Sequence, residues 1–270
     1  MDINDKYNKL QNHLKSLGNA AIAFSGGVDS AFLLKAAKNA LGDNVIAVTI
    51  RSCLIPESEI LEAAEFCRRE KIRHFICGVN PLEISGFENN PPERCYICKK
   101  AIFKVIKEAA YERGISVVAE GSNIDDNEDY RPGLKAIKEL GVLSPLQETG
   151  FTKKEIRGMS EKLKLPTWNK PSLACLASRF AYGEKITKER LARVERAEKV
   201  LADLGLKQFR VRVHGDIARI EALPEDFQKL VESSGQIYSD LKSLGFSYAA
   251  MDLRGYRTGS MNETIIEKKA

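Results

Sequence analysis

The sequence predicts an α/β protein, with a parallel-sheet domain over residues 1–183 and a smaller α+β domain over residues 184–270. Three observations carry this. Apolar runs alternate with amphipathic helical segments through the first two-thirds of the chain, as βαβ units require. A glycine turn, Ser25-Gly26-Gly27-Val28-Asp29-Ser30, joins the first run to a helix. From Thr187 onward the pattern becomes one long helical stripe, then a strictly alternating strand.

Tyr7, Leu10, Leu14 and Leu17 recur at helical spacing, so the N-terminus reads as a first helix, neither a signal peptide nor a targeting segment. Strands are expected at 20–24, 45–50, 74–79 and 116–120, with a short fifth at 142–146. Helices are expected between them at 30–40, 57–71, 99–112 and 134–140. Ligands of such sheets bind beyond the carboxyl ends of the strands, where residues 25–30, 49–53 and 121–126 fall. Thr152-Lys153-Lys154-Glu155 is a capping box that starts a helix reaching about residue 163. Pro166 closes that helix, Pro171 follows in a loop, and Gly183 marks a linker. Leu191, Val194, Ala197, Leu201 and Leu204 form the next helical stripe, ended by Gly205. Phe209-Arg210-Val211-Arg212-Val213 alternates, a second strand covers 218–222, Pro224 opens a helical stretch, and a last strand covers 247–253. The second domain is thus α-β-β-α-β, and only residues 265–270 read as a frayed tail.

The chain has 270 residues, of which 43% are hydrophobic and 29% charged, an ordinary globular composition. No apolar run approaches ~18 residues, so no membrane span is expected and the compartment expected is the cytoplasm. The net charge of +5 suits anionic ligands and is too mild, with its lysines and arginines dispersed, to argue for nucleic acid.

The glycine turn places two residues free of Cβ atoms before a helix, whose first N–H groups and dipole favour an anion. Ser25 and Ser30 add hydroxyl donors, and Asp29 can hold a hydrated Mg²⁺ against phosphate oxygens. The bland alternative is a capped strand–turn–helix corner. No Gly-Lys-Ser/Thr follows, so the loop is not a Walker loop. It resembles the pyrophosphatase loop of enzymes that cleave ATP to AMP and pyrophosphate. Gly121 and Asn123, in the polar run after the fourth strand, face the same edge and complete an expected ATP cleft. Gly121 would there let a ligand approach the backbone.

Of the six cysteines, Cys67 and Cys77 read as small buried hydrophobes, and Cys53 stays structural by default. Cys95 and Cys98 lie between Pro91-Pro92 and a helix expected to start near Lys99, and Cys175 sits in a loop expected to return to the cleft. Three uses compete for this trio. They can bind a [4Fe–4S] cluster with one open iron, form a Cys₃ zinc site needing a fourth ligand, or be ordinary thiols. Arg210 and Arg212 share a strand face that alternation makes exposed. They suit carboxylate or phosphate oxygens, or else belong to a solvated sheet face.

Glu120-Gly121-Ser122-Asn123-Ile124-Asp125-Asp126, Cys175-Leu176-Ala177-Ser178-Arg179 and the run from Arg210 to Glu221, together with the loop, resemble the LarE-type ATP-dependent sulfur transferases over nearly the full chain. The resemblance implies a pyrophosphatase-loop, adenine nucleotide alpha hydrolase-like first domain. It implies a catalyst that thiolates the two carboxylates of pyridinium-3,5-biscarboxylate mononucleotide, making precursor for the nickel-pincer cofactor of lactate racemase. On this carry-over Ser25, Gly26, Gly27, Asp29 and Ser30 hold ATP with Mg²⁺. Ser178, Arg179, Arg210 and Arg212 bind substrate, and Glu221 falls at a metal-associated position. Members that sacrifice a cysteine carry it four residues before the Ser-Arg pair, where this chain has Ala174. The thiol is displaced to Cys175. Either the loop shifts by one residue, or another sulfur source serves, and the Cys95/Cys98 pair favours a [4Fe–4S] cluster that carries hydrosulfide.

Expected partners are the small nucleotide substrate, a sulfide donor or nickel-insertion protein, and further copies of the chain in a homo-oligomer. Two rival readings are a tRNA-thiolating enzyme, which should show a basic stripe or an RNA-binding module, and a nonenzymatic ATP- or metal-binding protein.

Overall fold

A computed structural model describes residues 2–127, 132–171 and 174–263; the expected tail at 265–270 lies outside them. The chain forms two compact units, one of Met1–Asn80 with Cys95–Leu173, the other of Pro81–Arg94 with Ala174–Ala270.

The first unit begins with α1 (Ile3–Ser16), whose first turn is capped by the Asp2 carboxylate, and continues through β1 (Ala20–Ala23), α2 (Val28–Leu41), β2 (Val45–Arg51), α3 (Glu57–Arg69) and β3 (Arg73–Gly78). Then follow α4 (Arg94–Tyr111), β4 (Val118–Ala119), α5 (Gly133–Glu139), α6 (Pro145–Glu148) and α7 (Lys153–Lys162). The four strands are parallel in the order β3-β2-β1-β4. The chain therefore runs outward from β1 to β3 and returns to the other side of β1. The strand order reverses between β1 and β4, the place where such sheets open a ligand crevice.

Leu10, Leu14, Phe32, Phe151 and Ile156 belong to one buried cluster on this sheet. Ile46, Val48, Phe103, Ile106 and Ala110 belong to a second, which explains why six of the seven residues of β2 are buried.

Three expectations change here. The fifth strand reduces to one bridge, Ala119 with Leu143, because Pro145 has no N–H to give a sheet and instead starts α6. Cys77 lies on the edge strand β3, only partly buried. The helix carrying Cys95 and Cys98 begins at Arg94, so both thiols belong to its first turns, three residues apart on one face. The Thr152 capping box is present with both reciprocal bonds.

The second unit contains α8 (Lys188–Asp203), β5 (Phe209–His214), β6 (Ile217–Ala222), α9 (Phe227–Glu232), α10 (Ser234–Ser243) and β7 (Tyr248–Met251). Its sheet runs β5-β6-β7, antiparallel then parallel. Residues 81–94 join this unit through backbone: Ile186 N–H donates to the Glu88 carbonyl (2.8 Å) and Gly183 N–H to that of Asn90 (3.0 Å). Asn90 Nδ2 donates to the Ala181 carbonyl (2.6 Å), and Arg94 Nη1 to that of Ala177 (3.0 Å). Among the described residues no helix is long and apolar enough to cross a membrane.

Candidate functional site

In the first unit the site is built on the two loops that leave β1 and β4. Gly26 takes φ +75°, a left-handed conformation open to glycine at little cost, and Gly27 precedes the first turn of α2. The Ser25 and Ser30 hydroxyls lie 3.1 Å apart, and Ser30 Oγ donates to the Gly27 carbonyl (3.1 Å). The turn is therefore closed on itself before any ligand arrives.

The second loop packs onto it. A Cβ on Gly121 would stand 2.9 Å from the Ser30 backbone nitrogen, so this glycine permits a close approach of its loop to the start of α2. Glu120 is buried and accepts from Ser122 N–H (3.0 Å) and the Ser144 hydroxyl (2.6 Å). Asn123 is buried, its Oδ1 accepting from Asp125 N–H (3.0 Å), while its own N–H donates to Asp126 (3.0 Å). A cavity of about 330 Å³ opens beside them, lined among others by Ser25, Asp29, Ser30, Lys99, Gly121 and Asp126. That volume falls at the lower end of small-molecule sites.

Asp29 is the residue of most chemical interest. Its Oδ2 is paired with Lys153 Nζ from α7, whereas its Oδ1 is buried with no hydrogen-bond partner among the described residues. Burial pushes the carboxyl upward from its ordinary value, and the Lys153 ammonium opposes that rise. A buried carboxylate oxygen without a donor is costly, and a cation is the natural group to fill it. Lys153 escaped the sequence reading because its pattern showed only a capping box.

Gly121→Ala should shift the loop and weaken nucleotide binding by about tenfold or more, because backbone atoms cannot rotate out of the way as side chains do. Equilibrium dialysis against ATP checks this, with Gly235→Ala as a control at a glycine that has no positive φ and whose Cβ would meet nothing within 4 Å.

In the second unit the arginines are not on an exposed face. Arg210 and Arg212 are each 5% exposed and Glu221 is 0%. Arg212 Nε and Nη2 donate to Glu221 Oε2 (3.0 and 2.9 Å), and its Nη1 to the Ser178 carbonyl (3.0 Å). Glu221 Oε1 accepts from the Ser260 hydroxyl (2.8 Å) and pairs with Arg219 (3.0 Å). Both oxygens at the metal-associated position are thus held by protein donors. Arg179 grips both oxygens of Glu198 at 2.8 Å. Its Nη1 ties down the Ala174 carbonyl (2.7 Å) and the Ser178 hydroxyl (3.1 Å). Arg210 stacks over Tyr256, and burial together with Arg179 lowers its pKa. Glu198 escaped the sequence reading as well. Its signal was a charge on the flank of the Val194–Leu201 stripe.

The thiols differ in setting. Cys67 is buried and its pKa is pushed up to about 12 by that burial. Cys95 and Cys175 are exposed, while Cys53 and Cys98 are partly buried. Cys175 precedes a single 3-10 turn, Leu176–Arg179. Among the described residues no three His, Cys, Asp or Glu side chains are gathered as a metal-ion site.

No family model matches the chain. It is 40% identical over 266 residues to an uncharacterized protein of Synechocystis sp., covering 97% of this chain and 99% of that one. It is 38% identical over 255 residues to the pyridinium-3,5-bisthiocarboxylic acid mononucleotide synthase of Lactiplantibacillus plantarum, covering 93% and 92% respectively. The chain belongs to the LarE-type sulfur transferase family. A more distant relative, at 27% identity over 208 residues, is one of the polypeptides of the glutamine-hydrolyzing GMP synthase of Thermoplasma volcanium, covering 71% of this chain and 66% of that one. That match is shorter than the two full-length ones, so the LarE-type likeness extends to parts of the chain that the GMP synthase polypeptide does not match.

Proposed function

We propose that this LarE-type protein converts the carboxylates of pyridinium-3,5-biscarboxylate mononucleotide to thiocarboxylates for nickel-pincer cofactor synthesis, using ATP. The observation that carries the reading is the unpartnered, buried Oδ1 of Asp29 beside the glycine loop at the strand-order reversal. A free carboxylate resists nucleophiles. Its oxygen attacks the α-phosphorus of ATP, the bond to the β-phosphate oxygen breaks, and pyrophosphate leaves with the electron pair. Hydrosulfide then adds to the acyl carbon, AMP departs, and a proton is released.

The residues fit the groups this chemistry requires. The first-turn N–H groups of α2 and the hydroxyls of Ser25 and Ser30 suit phosphate oxygens. Asp29 would hold Mg²⁺, which neutralises charge on the phosphates. Buried Arg210 and Arg212 on β5, with Ser178 and buried Arg179 in the 3-10 turn, would frame the substrate phosphate.

For sulfur delivery the donor set is three thiols. Cys95 and Cys98 share one helix face. A [4Fe–4S] cluster on three thiolates would leave one iron open to a labile sulfur ligand. A sulfide donor and a nickel-accepting protein are the partners this role requires.

Pyrophosphate release tests the reading. It should depend on the biscarboxylate nucleotide, whereas stimulation by tRNA instead would overturn it. Replacing Cys95, Cys98 or Cys175 by alanine should each abolish the iron–sulfur absorption of anaerobically prepared protein and thiocarboxylate formation, with adenylation retained. Loss of sulfur transfer in the Cys175 variant alone, with dehydroalanine left at Cys175 in the wild type after one turnover, would instead identify a sacrificial thiol.

A further inference from the structure

The helical phase of α4 divides its chemistry between two stripes. Cys95, Lys99, Ile102 and Ile106 recur at i, i+4, i+7 and i+11, the spacing of one helix face. Lys99, Ile102 and Ile106 line the cavity beside the glycine loop, so Cys95 extends their stripe by one turn toward the helix start. Tyr96 and Lys100 form a second stripe, turned from the first by about 100°, the rotation of one helical residue.

That second stripe is tied to α5. The Tyr96 hydroxyl donates to Glu139 Oε2 (2.7 Å), and Lys100 Nζ donates to the Tyr96 oxygen (2.9 Å) and to the same Glu139 oxygen (3.2 Å). The Lys100 and Lys135 ammoniums lie 5.2 and 5.5 Å from the centre of the Tyr96 ring, and Lys135 comes within 4.0 Å of Glu139 Oε1. A lone exposed ion pair holds little, but here a phenol and two ammoniums converge on one carboxylate. Of these four side chains only Tyr96 comes from the first turn of α4, where the helix N–H groups have no partner within the helix.

We propose that Tyr96 is a positioning residue: pinned to Glu139 of α5, it fixes the rotation of the first turns of α4 so that Cys95 faces the nucleotide cavity. The proposal rests on the reading that ATP occupies this cavity and that Cys95 serves sulfur delivery. It gives the residue between the two thiols a task of its own, which is to keep one of them aimed at the place where the activated carboxyl forms.

The test follows alkylation of Cys95 and Cys98 by iodoacetamide in reduced, iron-free protein, with each site read by mass spectrometry of peptide fragments. In the wild type Cys95, which is exposed, should react severalfold faster than the partly buried Cys98, and Mg²⁺ with ATP should slow Cys95 severalfold. Tyr96→Phe keeps the ring and removes the hydroxyl, while Glu139→Ala changes an exposed residue. In both, the ratio of the two rates should fall toward one and most of the ATP protection of Cys95 should vanish, with the urea midpoint unchanged. Glu139→Gln keeps an acceptor for the phenol and should retain both properties. An unchanged ratio in Tyr96→Phe and Glu139→Ala would overturn the proposal. So would a ratio that moves only together with a lowered urea midpoint, or bound ATP that leaves wild-type Cys95 unprotected. If the wild type binds no ATP, or binds it and forms no thiocarboxylate, the functional reading fails, while the ligand-free ratio still decides the role of Tyr96.

Discussion

Replacing Asp29 by alanine will lower pyrophosphate release by about 10²-fold or more, the range expected when a group holding charge at the reacting phosphates is removed. Asp29 lies in the first turn of α2, with one oxygen on Lys153 and the other buried and free of donors. The variant will remain folded, because removing this carboxylate leaves Lys153 partly exposed and able to hydrate, and deletes a buried acceptor that nothing among the described residues satisfies. Urea unfolding read alongside activity separates the two effects. Full ATP cleavage by folded Asp29→Ala protein would remove Asp29 from the chemistry.

The largest loss of stability is expected at Arg179. This side chain is 2% exposed, and it holds both oxygens of Glu198 as well as the Ala174 carbonyl and the Ser178 hydroxyl. Arg179→Ala leaves the Glu198 carboxylate without its bidentate ion pair in a largely buried place, with the Val211 N–H still donating to it, and breaking such pairs costs about 3–5 kcal/mol. Denaturant midpoints measure the loss. Adding Glu198→Leu to Arg179→Met should regain part of it, because replacing both charges removes the stranded one. A loss within about 0.5 kcal/mol, the range of an ordinary surface change, would show that this network is not holding the loop that carries Cys175.

The contrast between Arg179 and the strand arginines shows what was legible in the sequence. Periodicity located α8, the capping box of α7, and the glycine loop between β1 and α2, since each is encoded by neighbours within a few residues. The same reasoning placed Arg210 and Arg212 on an exposed face, because alternation distinguishes the two faces of a strand without saying what covers the second. Here Glu221 on the neighbouring strand, and Glu198 and Ser260 from other segments, neutralise or bond the guanidiniums. Charge can then be buried, and the four middle residues of β5 all are. Lys153 escaped for a similar reason, since its partner lies 124 residues earlier. The expected fifth strand failed locally, at Pro145, where the absent N–H outweighs the apolar run.

The excursion at residues 81–94 has a consequence for the order of synthesis. Asn90 is made early, yet the carbonyl that its side chain meets belongs to Ala181, 91 residues later. At translation rates of about 5–20 residues per second, roughly 5–20 s separate the two. Within that interval the first sheet gains its fourth strand, β4, while the segment with Asn90, Pro91 and Pro92 waits for a partner still on the ribosome. Arg94, just ahead of Cys95, waits with it for Ala177. Asn90 and Arg94 therefore reach their final bonding only after residues 177–181 have emerged, which makes completion of the second unit a late event in the life of the nascent chain.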